Sequence, residues 1–140
     1  MFGKHVLAVA ACSAAASIAA VAAAPAAIAV TPKAGNYVQE KNGREQMMLQ
    51  VKNGHITNAV HYDSCVTVPI FSSSLGPNIK ISNGKFSWTG KVTDVANRRW
   101  TVHVDGTFVS ATKAKGHWSA TRLSGGSCTS TFTYTVTRTS

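Results

Sequence analysis

The side chains of this chain that could carry acid–base or metal chemistry are few and scattered. Its carboxylates are Glu40, Glu45, Asp63, Asp94 and Asp105, spread singly, so no pair for general acid–base work is suggested by spacing. His55 and His61 fall on one outward face of an extended segment. Six residues of strand hold them about 20 Å apart, too far to share a metal. His103 and His117 could approach if their strands are neighbours, but no carboxylate or thiolate is evident beside them, and they read as surface histidines. No Gly-x-Ser-x-Gly elbow and no phosphate-cradling glycine loop occurs. Asp63-Ser64-Cys65 contains a nucleophile, but Cys65 has a better use below. Catalysis, a metal and a cofactor are therefore not expected.

Binding chemistry is better supplied. Basic and aromatic residues intermingle in Arg98-Arg99-Trp100 and in Lys113, Lys115, His117, Trp118 and Arg122. An exposed tryptophan there could stack on sugars or bases. The alternation argues otherwise, since Trp100 aligns with Val102 and Trp118 with Ala114 and Ala120, which makes both rings core. Arg98, Arg99, Lys113, Lys115 and His117 are left as a candidate cationic site for phosphates or carboxylates. A second candidate is the threonine row at 129, 131, 133, 135, 137 and 139, which alternation places on one side of a strand. Threonine combines β propensity with tolerance of water, so a solvated face is the simple reading. A glycan contact is the alternative; an ice-binding plane would need neighbouring strands to repeat the pattern, and none is expected to.

The elements that must position these residues begin after a leader. Lys4 precedes an uncharged, alanine-rich run over residues 6–29 that ends in Ala27-Ile28-Ala29, which fits a cleaved secretory signal. The run is long enough to cross a bilayer, so a retained anchor is the alternative, and Val9-Ala10-Ala11-Cys12 faintly resembles a lipidation site. Removing residues 1–29 leaves a lead-in over 30–34 and one domain over 35–140, the usual size of a single compact unit. Of the three cysteines only Cys65 and Cys128 then stay, and in an exported domain they are most economically one disulfide. Thirteen Lys and Arg against five acids leave an excess of eight positive charges after Lys4 is removed. Such a field attracts anionic partners. Outside a cell these are wall polymers bearing phosphate, acidic polysaccharides or lipid head groups, with no specific nucleic acid expected.

No segment keeps a helical period. Short alternating runs are separated by turn signals, as in strands and hairpins. Asn42-Gly43, Asn53-Gly54 and Asn83-Gly84 suit two-residue type I′ turns. Those turns set Lys52 against His55, Val51 against Ile56, Ser82 against Lys85, and Val38 against Met47. Residues 55–62 are expected to turn Ile56, Val60 and Tyr62 inward. Residues 65–71 read as an edge strand because Pro69 cannot donate to a ladder. A long strand from Arg98 is expected to carry a bulge at Gly106 and to reverse at Thr112-Lys113. The sum is about nine or ten strands in an antiparallel sandwich or closed barrel.

Gly35-Asn36-Tyr37, Asn83-Gly84-Lys85-Phe86-Ser87, Gly106-Thr107-Phe108-Val109-Ser110, Lys113-Ala114-Lys115-Gly116 and a glycine-rich turn before Cys128 form an ordered series. It resembles a group of small exported all-β domains common in Gram-positive actinobacteria, although Gln39 stands where a glycine often follows the tyrosine. The resemblance implies the fold and carries no settled activity. The resulting expectation is a secreted, monomeric binding module for an anionic or glycan-type ligand at the cell envelope. A protein-interaction or inhibitor module using the 72–78 loop is the alternative, ahead of an enzyme with a site in a barrel mouth.

Overall fold

In a computed structural model that describes residues 23–24, 28–68, 70 and 78–140, the chain is all-β. The strands are β1 (Gly35–Lys41), β2 (Arg44–Lys52), β3 (His55–His61), β4 (Ile79–Lys80), β5 (Lys85–Thr93), β6 (Arg99–Ser110), β7 (Lys113–Arg122) and β8 (Thr129–Arg138). They form one antiparallel sheet in the order β4-β3-β2-β1-β8-β7-β6-β5. Because β4 turns through Asn83-Gly84 directly into β5, the two ends of the sheet meet and the sheet is a nearly closed barrel. Both residues of each Asn-Gly pair have positive φ, between 51° and 72°, which is the geometry that closes two-residue hairpins. The expected leader lies outside the described residues except for residues 23–24 and 28–29. The same holds for Pro69 and for the 72–78 loop up to residue 77.

Alternation decides what fills the barrel. Trp100, Val102, Val104 and Phe108 of β6, Ala114, Trp118 and Ala120 of β7, and Tyr134 and Val136 of β8 are all buried. They meet Tyr37, Met47, Leu49, Val51 and Ile56 from the other side. Gly106 pairs with Gly116, with Phe86 on one flank and Tyr134 on the other. The missing side chains let the Tyr134 ring lie across both glycines, and its hydroxyl donates to the Asp105 carbonyl at 2.6 Å. An added Cβ on Gly116 would stand 1.9 Å from that same carbonyl oxygen. The pair of glycines is thus a seat for a ring (an aromatic laid over bare backbone), and β6 runs through Gly106 without a break.

Several expected details are corrected. The register irregularity in β6 falls between Phe108 and Ser110, so Val109 and not Gly106 is the extra residue, and the reversal is at Ala111-Thr112. A shift between Gln39 and Glu40 places Val38 opposite Met48 and Gln39 opposite Met47. Tyr37 is then the inward residue, and its hydroxyl lies 2.7 Å from the carbonyls of both Lys33 and Ala111. A second shift, between Gln50 and Val51, leaves Thr57 without a partner in the ladder, since Val51 pairs Ile56 while Gln50 pairs Asn58. That shift reverses the facing of the rest of β3. His61 is therefore buried, not outward, and stacks on Phe132 with ring centroids 4.1 Å apart.

Among the described residues, Cys65 to Val68 and Ile70 form no strand. The Asp63 carboxylate takes the backbone N–H groups of Cys65 and Val66, each at 2.8 Å, so they have no need of a ladder. Ser130 of β8 donates its hydroxyl to the other Asp63 oxygen. The Cys65–Cys128 disulfide fastens the same segment to the start of β8, with Cα atoms 5.9 Å apart.

Candidate functional site

The outer face of β5–β8 is built by the same alternation that fills the interior. Across the pairing register it reads, row by row, Lys85–Thr107–Lys115–Thr135, then Ser87–Asp105–His117–Thr133, then Thr89–His103–Ser119–Thr131, then Lys91–Thr101–Thr121–Thr129. Thr93 and Arg99 face one another beyond the last row, and Lys113 and Thr137 stand before the first. Hydroxyls, imidazoles and ammonium groups make up this surface. The outward threonines of β8 are all exposed, as a wet face requires. What the sequence reading missed is that β5, β6 and β7 add their own Thr and Ser residues beside that row.

The expected cations do not form one patch. Arg98 donates its Nε–H to Asp94 at 2.8 Å, and its guanidinium lies 5.7 Å from the Trp100 ring centroid. It is a structural partner of a carboxylate that has no exposed side-chain surface. Arg99 is exposed, but it sits eight residues of β6 from Thr107, the partner of Lys115, or about 27 Å away. Lys113, Lys115 and His117 share the outer face of β7 and are exposed. Lys85 joins them two strands from Lys115, about 10 Å across the sheet. Alternation would have set Lys85 outward; only the strand order puts it beside Lys115.

His103 and His117 do meet, and a carboxylate lies between them. His103 Nε2 is 3.0 Å from Asp105 Oδ2, and His117 Nδ1 is 3.2 Å from Asp105 Oδ1. A carboxylate only accepts, so both rings direct N–H groups toward it. Thr89 Oγ1 lies 2.6 Å from the other nitrogen of His103 and holds that ring in place. Partial burial pushes the Asp105 carboxyl up. The bonds from His117 and His103, with their charge, outweigh that and hold it below the ordinary carboxylate range. The two imidazoles grip opposite oxygens, and among the described residues no three such groups converge on a metal position.

Beside this triad Asp105, Thr107, Lys115, His117, Thr133 and Thr135 ring a shallow depression of about 340 Å³, floored by Gly116 and Tyr134. Beside the Asp105 carboxylate it offers one cation, one imidazole and three hydroxyls to an anionic or polyhydroxylated group. On the β5–β8 outer face, among the described residues, the exposed cations are Lys85, Lys91, Arg99, Lys113 and Lys115, and the single acid is Asp105. Glu40 and Glu45 flank the β1–β2 turn, and Asp63 and Asp94 are spent on internal bonds.

No protein-family model, no curated protein and no solved structure matches this chain. No helix among the described residues is long and apolar enough to cross a membrane.

Proposed function

We propose that this protein is an exported binding domain whose β5–β8 outer face holds anionic polymers of the cell envelope, phosphate-bearing wall polymers or acidic polysaccharides. The observation that supports this reading is the charge and hydroxyl pattern of that face. Five cations stand over a continuous field of Thr and Ser, while the one acid among them is already bonded by two histidines. Long-range attraction comes from the excess positive charge, and the hydroxyls supply short-range hydrogen bonds from a rigid sheet. The depression beside Lys115 is the natural subsite for one anionic group of the polymer.

Retention on immobilised polyphosphate and on a polyglucuronate resin, over a salt series, tests this. Retention of the wild-type protein is expected to fall progressively as salt rises from about 0.05 M to about 0.5 M, because the Debye length drops below the spacing of the surface charges. Lys113→Glu with Lys115→Glu is expected to abolish most retention, and Arg98→Gln, whose charge is internal, to change it least. Retention that is indifferent to salt and to the β7 double variant overturns the reading. The inhibitor alternative rests on the 72–78 loop, which, apart from Asn78, lies outside the described residues. The barrel-mouth alternative gains no support, since side chains fill the interior along β6, β7 and β8.

A further inference from the structure

The end of the β5–β8 sheet away from Lys115 presents a second surface with its own chemistry. The β5–β6 and β7–β8 turns lie side by side, joined by the Leu123 N–H to the Arg99 carbonyl at 2.7 Å and by the Arg99 N–H to Ser124 Oγ at 2.9 Å. Each turn presents an aliphatic side chain to solvent: Val95 is 70% exposed and Leu123 45%. Single exposed aliphatics are ordinary on a protein surface. These two differ in being held out together by a rigid framework. Asp94 accepts the N–H groups of Ala96 and Arg98, the Trp100 indole N–H and the Arg98 guanidinium, all within 2.8–2.9 Å. Asn97, at φ 60°, closes the turn, so Val95 is fixed at its tip. On the other turn, Arg122 packs over Trp100 and donates to the Gly126 carbonyl, and the disulfide at Cys128 pins the strand that follows.

The charges around the two aliphatics are of one sign. Lys91, Arg99 and Leu123 border the same shallow depression, and Arg122 precedes Leu123 in the chain. The carboxylate beside them, Asp94, is neutralised by Arg98. Apolar tips set among uncompensated cations match the outer layer of an anionic bilayer, where acyl chains meet phosphate head groups. We propose that this end of the barrel docks on anionic lipid membranes, with Val95 and Leu123 entering the head-group region and Lys91, Arg99 and Arg122 contacting lipid phosphates. Lys91 and Arg99 are shared with the outer face of β5–β8, but Val95 and Leu123 are not, and Lys113 and Lys115 lie at the opposite end of that face, so the aliphatic pair distinguishes this docking from polymer binding.

Co-sedimentation with vesicles tests it, using protein as isolated and variants with the same N-terminus, read by mass spectrometry. Binding is expected to vesicles of phosphatidylglycerol with phosphatidylcholine, and to weaken about fivefold for each of Lys91, Arg99 or Arg122 changed to Gln. Val95→Ser with Leu123→Ser is expected to lower partitioning about tenfold while the thermal midpoint holds. In a Val95→Trp variant, brominated lipid is expected to quench the new fluorophore, a direct reading of insertion. The proposal is overturned by equal binding to purely zwitterionic vesicles, by no binding to anionic ones, or by an introduced indole whose emission brominated lipid leaves unchanged. It is equally overturned if the serine pair binds unchanged, or if only Lys113→Glu with Lys115→Glu removes binding, which would place the contact on the sheet face.

Discussion

At residue scale the most consequential side chain is Asp94. Burial pushes its carboxyl up, yet bonds from the Arg98 N–H, the Trp100 indole, the Arg98 guanidinium and the Ala96 N–H together hold it below its ordinary value of 3.8. Replacing it with alanine leaves Arg98 without its counter-charge and the Trp100 N–H unsatisfied. Asp94→Ala is expected to cost about 3–5 kcal/mol in urea unfolding. Arg98→Ala, at a partly exposed position, is expected to cost about half as much. Asp63 and Asp105 also titrate below the ordinary value, against the opposing effect of burial, through Ser130 and two backbone N–H groups in the first case and two histidines in the second. Each depressed carboxyl contributes stability that is present above its unfolded value near 4 and is lost as pH falls through its folded value. The thermal midpoint, on the contribution of these three groups, is therefore expected to hold down to about pH 5 and to drop below about pH 4. A midpoint that rises on acidification would contradict this.

At the scale of the elements, three register shifts set which residues look outward. A shift of one residue turns every following side chain to the opposite face. The extra Thr57 thereby brings His61 inside, where its Nδ1–H donates to the Gln46 carbonyl. The facing glycines of β6 and β7 have the reverse task, keeping a ladder regular while a ring crosses it. Gly116→Ala is expected to destabilise the fold by about 3 kcal/mol or more, since backbone atoms and the Tyr134 hydroxyl all lie within 2.7 Å of the new methyl. Gly43→Ala, with nothing within 4 Å but φ at +70°, is expected to cost only about 1 kcal/mol. Denaturant midpoints of the two variants compare a steric penalty with a conformational one. Equal losses would mean that the β6 backbone at Asp105-Gly106 and the Tyr134 ring both give way easily.

At the scale of the whole molecule, the barrel is closed unevenly. β8 pairs with β1 only at Thr137–Val38 and Arg138–Tyr37, and the early half of β8 is held instead through Cys128, Ser130 and Phe132 by the end of β3 and the segment after it. The disulfide joins cysteines 63 residues apart in the chain. Its reduction is expected to lower stability by about 4 kcal/mol on the chain-entropy account, seen as a lower urea midpoint in the presence of reductant. A midpoint that reductant does not move would show that Asp63–Ser130 and the His61–Phe132 stack suffice to hold the segment.

Much of this architecture was legible in the residues alone. Strand content, the three Asn-Gly turns, the pairing of Cys65 with Cys128, the inward Trp100 and Trp118 and the wet threonine row all follow from period, turn chemistry and cysteine count. The first, second and last of these are local properties: a side chain's face depends on its neighbours two residues away, and a turn on two φ angles. The extra residues at Val109 and Thr57 and the shift at Gln39 were not legible, because a bulge is chosen by what the partner strand packs best. Nor could the chain order show that Lys85 would stand two strands from Lys115, or that Asp105 would stand between His103 and His117. Distance between strands is decided by sheet order, which only the closed tertiary structure supplies.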